Sequence, residues 1–322
     1  MNRVHFHNIA DEAGVSVRTL YRVMNNQGAV SSATRRKVVT ALNRYGYLCS
    51  GQKESQTILF DIIRSSFIER VGILLMQRLS LRDFRCVLNN HTEQKERFLD
   101  AVSQAAVVVM CSFPTETLLQ EVRAANPDCT IVNILGGVGG DVAIDSDDYQ
   151  GGQLAARHLF ANGHRHVGVF SSLDQPNHVE RYKSFLGQML FLDPGCKVEF
   201  HEYFPGTDPG DFWMNYFRAH KQLPTGFFCP LGGIADYLPY CAEKLKLKIP
   251  DDFSLIGYNR PEERNYVQPL QPFDSIVFDV EQLTAWGEYY ILNRPMVTNQ
   301  ACIHTLLQPS LEIKGSVRNI NS

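Results

Sequence analysis

Two arginines four residues apart, Arg18 and Arg22, stand on a stretch whose other residues give them a direction. Leu20 and Val23 lie three apart and would share the buried face of a helix over 17–25. Val17, Arg18, Tyr21, Arg22 and Asn25 are then left facing outward. A guanidinium fork matches the paired acceptors on a guanine edge, and a valine suits the methyl group of a thymine, so this face has the chemistry of base reading. Ser16, Thr19, Asn25, Ser31 and Thr34 flank it and can donate to phosphate oxygens, which fixes register without reading sequence.

Such a face works only if neighbouring elements hold it. Ser16 is a good N-cap for the helix that follows. Before it, residues 7–12 form a short amphipathic run with Ile9, Ala10 and Ala13 on one side, and the two alanines let a second helix cross closely. Gly14 stands where a tight turn between helices needs a residue that tolerates positive φ. A third helix is predicted from near Ser31 to about Tyr45, burying Val38, Ala41 and Leu42. Charge divides the same way. Residues 1–48 carry seven Arg and Lys against two acids, the rest 24 against 32, and the whole chain is −3. A small basic head on an acidic body directs phosphates to the head.

The pattern Ile9-Ala10-x-x-Ala13-Gly14-Val15-Ser16-x-x-Thr19-x-x-Arg22-Val23-x-Asn25, followed by Val30-Ser31-x-x-Thr34-Arg35-x-x-Val38 and Tyr45-Gly46-Tyr47, resembles the head of the lactose/galactose repressor (LacI/GalR) family. Spaced points in the body are similar too. They are the segment from Ala143 to Val167, Arg181-x-x-x-Phe185, the run 249–258, and Leu306-Leu307-x-Pro309-x-Leu311-x-Ile313. The resemblance implies an α/β protein with an N-terminal three-helix helix-turn-helix head and a two-lobed, periplasmic-binding-protein-like body of doubly wound parallel sheets. On it the head covers 1–48, a linker 49–56, and an effector-binding and dimerisation domain 57–322. One lobe would take about 57–144 and 277–305, the other about 145–276 and 306–322, with three crossings between them.

Hydropathy agrees with that body. From Thr57 onward, short apolar strands at 57–63, 85–89, 106–111, 130–134, 142–144, 166–171, 198–203, 226–229, 253–257 and 275–278 alternate with helical stretches. Strand followed by helix, repeated, calls for parallel sheets covered on both faces, and ten strands suit two sheets better than one. No apolar run nears the ~20 residues of a membrane span, and Asn8, Asp11 and Glu12 break any secretion signal, so a cytoplasmic protein is expected. Eight scattered cysteines without a Cys-x-x-Cys pair point to reduced thiols rather than disulfides or a metal site.

Other motifs carry less. The run 136–140 is glycine-rich but leads to a short strand rather than a helix, so it reads as a connection and not as a phosphate cradle. His158, His164 and His166 lack a fourth ligand spaced for a metal, and Asp145-Ser146-Asp147-Asp148 lacks the later glycine and glutamate of a calcium loop. No nucleophile with its base is marked, so neither enzyme activity nor a cofactor is expected.

Ligands of doubly wound lobes meet the carboxyl ends of strands, where Arg64, Ser112, Asp145, Arg181, Asn259 and Arg260 fall. In the family, the Arg181 position commonly clamps effector hydroxyls. Two departures stand out: Leu231-Gly232-Gly233-Ile234-Ala235 lacks the family's acid, and Asn259 replaces an aspartate. Three arginines with fewer carboxylates favour an anionic effector, a sugar phosphate or sugar acid, over a neutral sugar; a degenerate cleft without effector is the rival. The linker also departs, since the family's leucine-bearing hinge is missing from 48–54 and Gly51 disfavours a helix.

The expected function is a sequence-specific transcriptional regulator, a repressor of a carbohydrate or sugar-acid utilisation operon. It would bind a pseudo-palindromic operator as a homodimer under control of a small molecule. The alternative is a small-molecule-binding protein of the same body type with no effector-linked DNA switch.

Overall fold

The structure, a computed structural model, describes residues 3–24, 30–45, 56–63, 65–82, 84–137, 139–259, 271–294 and 302–321. Three helices form the head: α1 (Arg3–Glu12), α2 (Val17–Met24) and α3 (Ser32–Arg44). Ile9, Leu20, Val23, Val38 and Leu42 are fully buried between them, the stripes that the spacing predicts. Helix α1 begins earlier than expected, bringing Phe6 into this core. The turn is closed by Gly14 at φ +64°, with the Val15 N–H donating to the Ala10 carbonyl at 2.9 Å.

The body is two six-stranded sheets. The first is built from β1 (Thr57–Ile62), β2 (Arg85–Leu88), β3 (Val107–Cys111), β4 (Thr130–Ile134), β5 (Val142–Ser146) and the late strand β11 (Ile303–Leu307). Between them run α4 (Ser66–Ser80), α5 (Lys95–Val102) and α6 (Glu116–Ala125). The chain then passes through α7 (Asp148–Ala161) into the second sheet. That sheet holds β6 (His166–Ser171), β7 (Lys197–Glu202), β8 (Gly226–Cys229), β9 (Ser254–Tyr258), β10 (Asp274–Val277) and β12 (Ser310–Glu312). Its connections are α8 (Pro176–Leu192), α9 (Pro209–Ala219), α10 (Gly232–Ala235) and α11 (Leu238–Lys244), and α12 (Val280–Leu292) leads back to β11.

Both sheets share one winding, in the orders β11-β5-β4-β3-β1-β2 and β12-β10-β9-β8-β6-β7. Among the described residues every pairing is parallel except β10 with β12. Central strands such as Val107–Cys111 are buried on both faces, as parallel strands under two layers of helices must be. One apolar core joins Phe60, Val109 and Ile134 of the first sheet to Val169, Phe228 and Ile256 of the second. Beyond it, Phe170, Trp213, Phe227 and Phe253 pack ring on ring.

All ten expected strands are present, and two more, β11 and β12, were not recognised from periodicity. Helices α10 and α11 are separate, because Pro239 lacks an N–H and begins a new helix. Among the described residues, no helix is long and apolar enough to cross a membrane.

Candidate functional site

On the head, Ser16 does what its type suggests. Its Oγ accepts from the Thr19 N–H at 3.2 Å and pairs with Thr19 Oγ1 at 3.0 Å. Ser31 repeats the arrangement at α3, with 3.2 Å to the Thr34 N–H and 2.8 Å to Thr34 Oγ1. In each pair one hydroxyl donates to the other, which leaves the partner's proton for an acceptor outside. Arg18 and Arg22 are exposed on α2, opposite Leu20 and Val23; Val17 is half-buried. Tyr21 is 43% exposed, but its ring leans on Phe6 with centroids 5.4 Å apart, so it is anchored rather than free to reach. Arg44 and Glu12 pair at 2.7 Å across α3 and α1. Asn25, and the linker 49–56 apart from Gln56, lie outside the described residues.

Ser16→Ala should cost about 1 kcal/mol of head stability, the usual loss when a helix N-cap is removed. The measurement is amide-exchange protection across 17–24, expected to fall while the body's protection stays constant. Unchanged protection would mean that the cap contributes nothing.

In the body, a cavity of about 780 Å³ opens where the strands of both sheets end. Asp145, Arg181 and Asn259 line it, three of the six residues expected there. Ser112 does not. Its hydroxyl donates at 2.5 Å to Asp61, which also bonds the His91 ring at 2.7 Å, so Ser112 belongs to a buried polar cluster beside the cavity. Arg64 and Arg260 lie outside the described residues.

Two glycines position two of the lining residues. A Cβ at Gly152 would lie 2.4 Å from the Arg181 carbonyl oxygen, and one at Gly151 would lie 2.2 Å from the Tyr258 hydroxyl. Only hydrogen at those positions lets α7 press against α8 and β9, which brings Asp148, Arg181 and Tyr258 together. Arg181 is 5% exposed; its Nε donates to Asp148 Oδ1 at 2.8 Å and its Nη1 to the Pro230 carbonyl at 2.9 Å. Its guanidinium lies 3.7 Å over the Tyr258 ring. Burial works against the arginine's charge, yet Asp148 and Tyr258 more than offset it and its pKa is raised.

Asp145 accepts from the Gly137 N–H at 3.2 Å and from His304 Nε2 at 2.9 Å. Burial pushes its carboxyl up, and those two partners hold it back. Burial, with Arg181 beside it, drives His178 down to about 4, so at neutral pH that ring is uncharged and can both accept and donate. Glu180 is raised by burial and by neighbouring Asp148 and Asp147.

Sequence reasoning missed Asp148, His178, Asp236 and His304 in this lining. The acid absent from 231–235 is thus present one residue later, as Asp236. The glycine run 136–140 lends Gly136 and Gly137 to the wall rather than cradling a phosphate. His158 and His164 serve packing, through Asp274 at 2.8 Å and through Thr225 at 2.9 Å. Among the described residues, no cluster of three or more His, Cys, Asp or Glu is placed to hold a metal.

Comparison with known proteins matches residues 5–50 to the model of bacterial regulatory proteins of the lacI family, and residues 156–285 to a periplasmic binding protein-like domain. The HTH-type transcriptional repressor PurR of Actinobacillus pleuropneumoniae serotype 3 (strain JL03) is 27% identical over 333 residues, covering 97% of this chain and 98% of that one. The chain belongs to the LacI family. Among solved structures, the lac repressor dimer bound to operator and the anti-inducer ONPF superposes with a TM-score of 0.65 at 18% identity, covering 96% of this chain and 98% of that chain. A LacI-family regulator from Enterococcus faecium with bound ribose gives 0.70 at 18% identity, over 83% of this chain and 100% of that chain. At these identities the superpositions speak for the fold alone. This LacI-family member is therefore a DNA-binding transcriptional regulator with a helix-turn-helix head and a two-lobed binding body.

Proposed function

We propose that this regulator is a repressor that binds a two-fold operator as a homodimer in the cytoplasm, and that a small uncharged, hydroxyl-rich molecule in the inter-lobe cavity controls it. The division into a head at 1–48, a linker at 49–56 and two lobes from 57 onward is part of the proposal. One observation carries it: a capped helix presenting Arg18 and Arg22 shares a chain with a polar cavity whose described arginine is paired with Asp148. Arg18 and Arg22 would read guanine edges, Val17 a thymine methyl, and the Ser16–Thr19 and Ser31–Thr34 hydroxyl pairs would hold phosphates.

Of the three arginines behind the expected anionic effector, Arg64 and Arg260 lie outside the described residues, and Arg181 favours a neutral ligand instead. Arg181 is committed to Asp148, and Asp145, Glu180 and Asp236 line the same space. A neutral sugar suits these acceptors better, and ribose occupies the Enterococcus faecium relative. A nucleoside is the second reading, favoured by the rings of Phe67, Phe113, Tyr203 and Phe278 in the lining. An effector that binds one lobe arrangement more tightly than the other would shift the angle between two heads and so the affinity for operator.

A thermal-shift screen of sugars, nucleosides and their phosphates tests this, since a ligand bound only by the folded state raises the midpoint by several degrees once it exceeds its Kd. Selection of bound duplexes from a random pool, with and without each hit, then tests the switch. A hit that leaves the selected DNA and its affinity unchanged supports instead a binding protein without an effector-linked switch. Stabilisation by phosphates but by none of the neutral parents would overturn the effector class.

A further inference from the structure

Among the described residues lining the cavity, Arg181 is the sole arginine or lysine, and its charge is already answered. Asp148 Oδ1 takes its Nε–H at 2.8 Å and accepts as well from the Ser146 hydroxyl at 2.8 Å and the Tyr258 hydroxyl at 3.0 Å. These donors come from α8, β5 and β9, so the carboxylate cannot swing away without abandoning three elements at once. The side chains of Asp148 and Arg181 are only 10% and 6% exposed, so little solvent screens the pair. The Pro230 carbonyl and the Tyr258 ring hold the guanidinium from its other sides.

An entering phosphate or carboxylate would share the single positive charge of Arg181 with Asp148, and would do so beside Asp145 and Glu180. Like charges close together in a partly desolvated space repel strongly. A hydroxyl carries no such penalty and can accept from a guanidinium N–H that neither Asp148 nor Pro230 takes. A protonated amine gains from the surplus carboxylates.

We propose that Asp148 sets the charge selectivity of the effector cavity: by holding Arg181 in an immobile neutral pair, it makes the site accept uncharged or amine-bearing hydroxylated ligands and reject their phosphorylated and carboxylated forms. Asp148 is a positioning residue here, acting through Arg181. The inference rests on the effector reading above.

The test uses the full chain and Asp148→Asn, with calorimetry and thermal shift against matched probes. The probes are ribose with ribose 5-phosphate, adenosine with adenosine monophosphate, and glucose with glucosamine, gluconate and glucose 6-phosphate. The parent is expected to bind a neutral or amine member of a set and not its anionic partner. Asp148→Asn, which removes the negative charge but keeps a polar side chain of the same shape, should bind that anionic partner about tenfold more tightly than the parent does. Any preference of glucosamine over glucose should shrink in the variant. Equal binding of neutral and phosphorylated partners by the parent overturns the proposal, and this measurement stands even if the variant does not fold. So does a folded variant that binds a neutral probe and gains nothing toward its anion. If no probe binds either protein, the effector reading itself fails and the proposal falls with it.

Discussion

Arg22→Ala should weaken binding to the selected operator by roughly 1–3 kcal/mol while changing affinity for random duplex much less. Arg22 is exposed on α2, with Leu20 and Val23 buried on the opposite side, so its loss removes a contact to DNA without touching the head's core. A guanidinium facing base edges makes two parallel hydrogen bonds to guanine, and alanine makes none. Phosphate contacts from the hydroxyl pairs at Ser16 and Ser31 remain, and they act on every sequence alike. Fluorescence anisotropy on operator and on a shuffled duplex, at one fixed salt concentration, separates the two effects. Base preference should also relax at one position in each half-site. Equal losses on both duplexes would show that α2 does not read sequence.

Asp274→Ala should be the most damaging single change in the body. Asp274 is fully buried, and its Oδ1 accepts the backbone N–H groups of Lys314, Gly315 and Ser316 at 2.7, 2.8 and 3.1 Å. Its Oδ2 takes the bond from His158 Nε2 on α7 at 2.8 Å. Alanine would strand three backbone donors and a histidine in the interior. Breaking a buried pair in this way costs about 3–5 kcal/mol, against a typical domain stability of about 5–15 kcal/mol. The pairing carries a pH signature. Burial alone would raise the Asp274 carboxyl, but His158 and the backbone N–H groups of Lys314 and Ser316 outweigh it and hold the pKa below the ordinary value. A depressed folded pKa gives stability that is whole above the unfolded value, about 3.9 for aspartate, and is lost as pH falls through the lower folded one. Urea melts of parent and variant at pH 7 and across the acid range measure both. A variant within about 1 kcal/mol of the parent at pH 7 would show that residues 314–316 are held by something else.

How far the sequence reached depends on how local each cause is. In the head, every cause lies within a few residues: the Leu20–Val23 spacing, the Ser16 cap, the Gly14 turn. All of them are found where the chain's text puts them. The ten strands with apolar runs were legible for the same reason, since a strand buried on both faces writes its burial into its own residues. Edge strands do not. β11 has alternating exposure and β12 is three residues long, and each exists because a neighbour in its sheet offers a ladder.

The cavity shows the same division more sharply. That Arg181 sits at a strand end follows from position along the chain, and so does the presence of a cleft. That its charge is cancelled follows from Asp148, 33 residues earlier, and from Gly151 and Gly152, which let α7 approach closely enough for the pair to form. Ser112 reads as a cleft residue until Asp61, 51 residues before it, accepts its hydroxyl's hydrogen bond. Asp236 enters the lining through the course of α10, and His304 through the pairing of β11 with β5. The sequence by itself determined the head and ten strands, because those follow from short-range periodicity, and its resemblance to a family implied the two lobes and the cleft between them. The tertiary structure alone decided that Asp148 answers the charge of Arg181, because which ion meets which counter-ion depends on residues far apart in the chain.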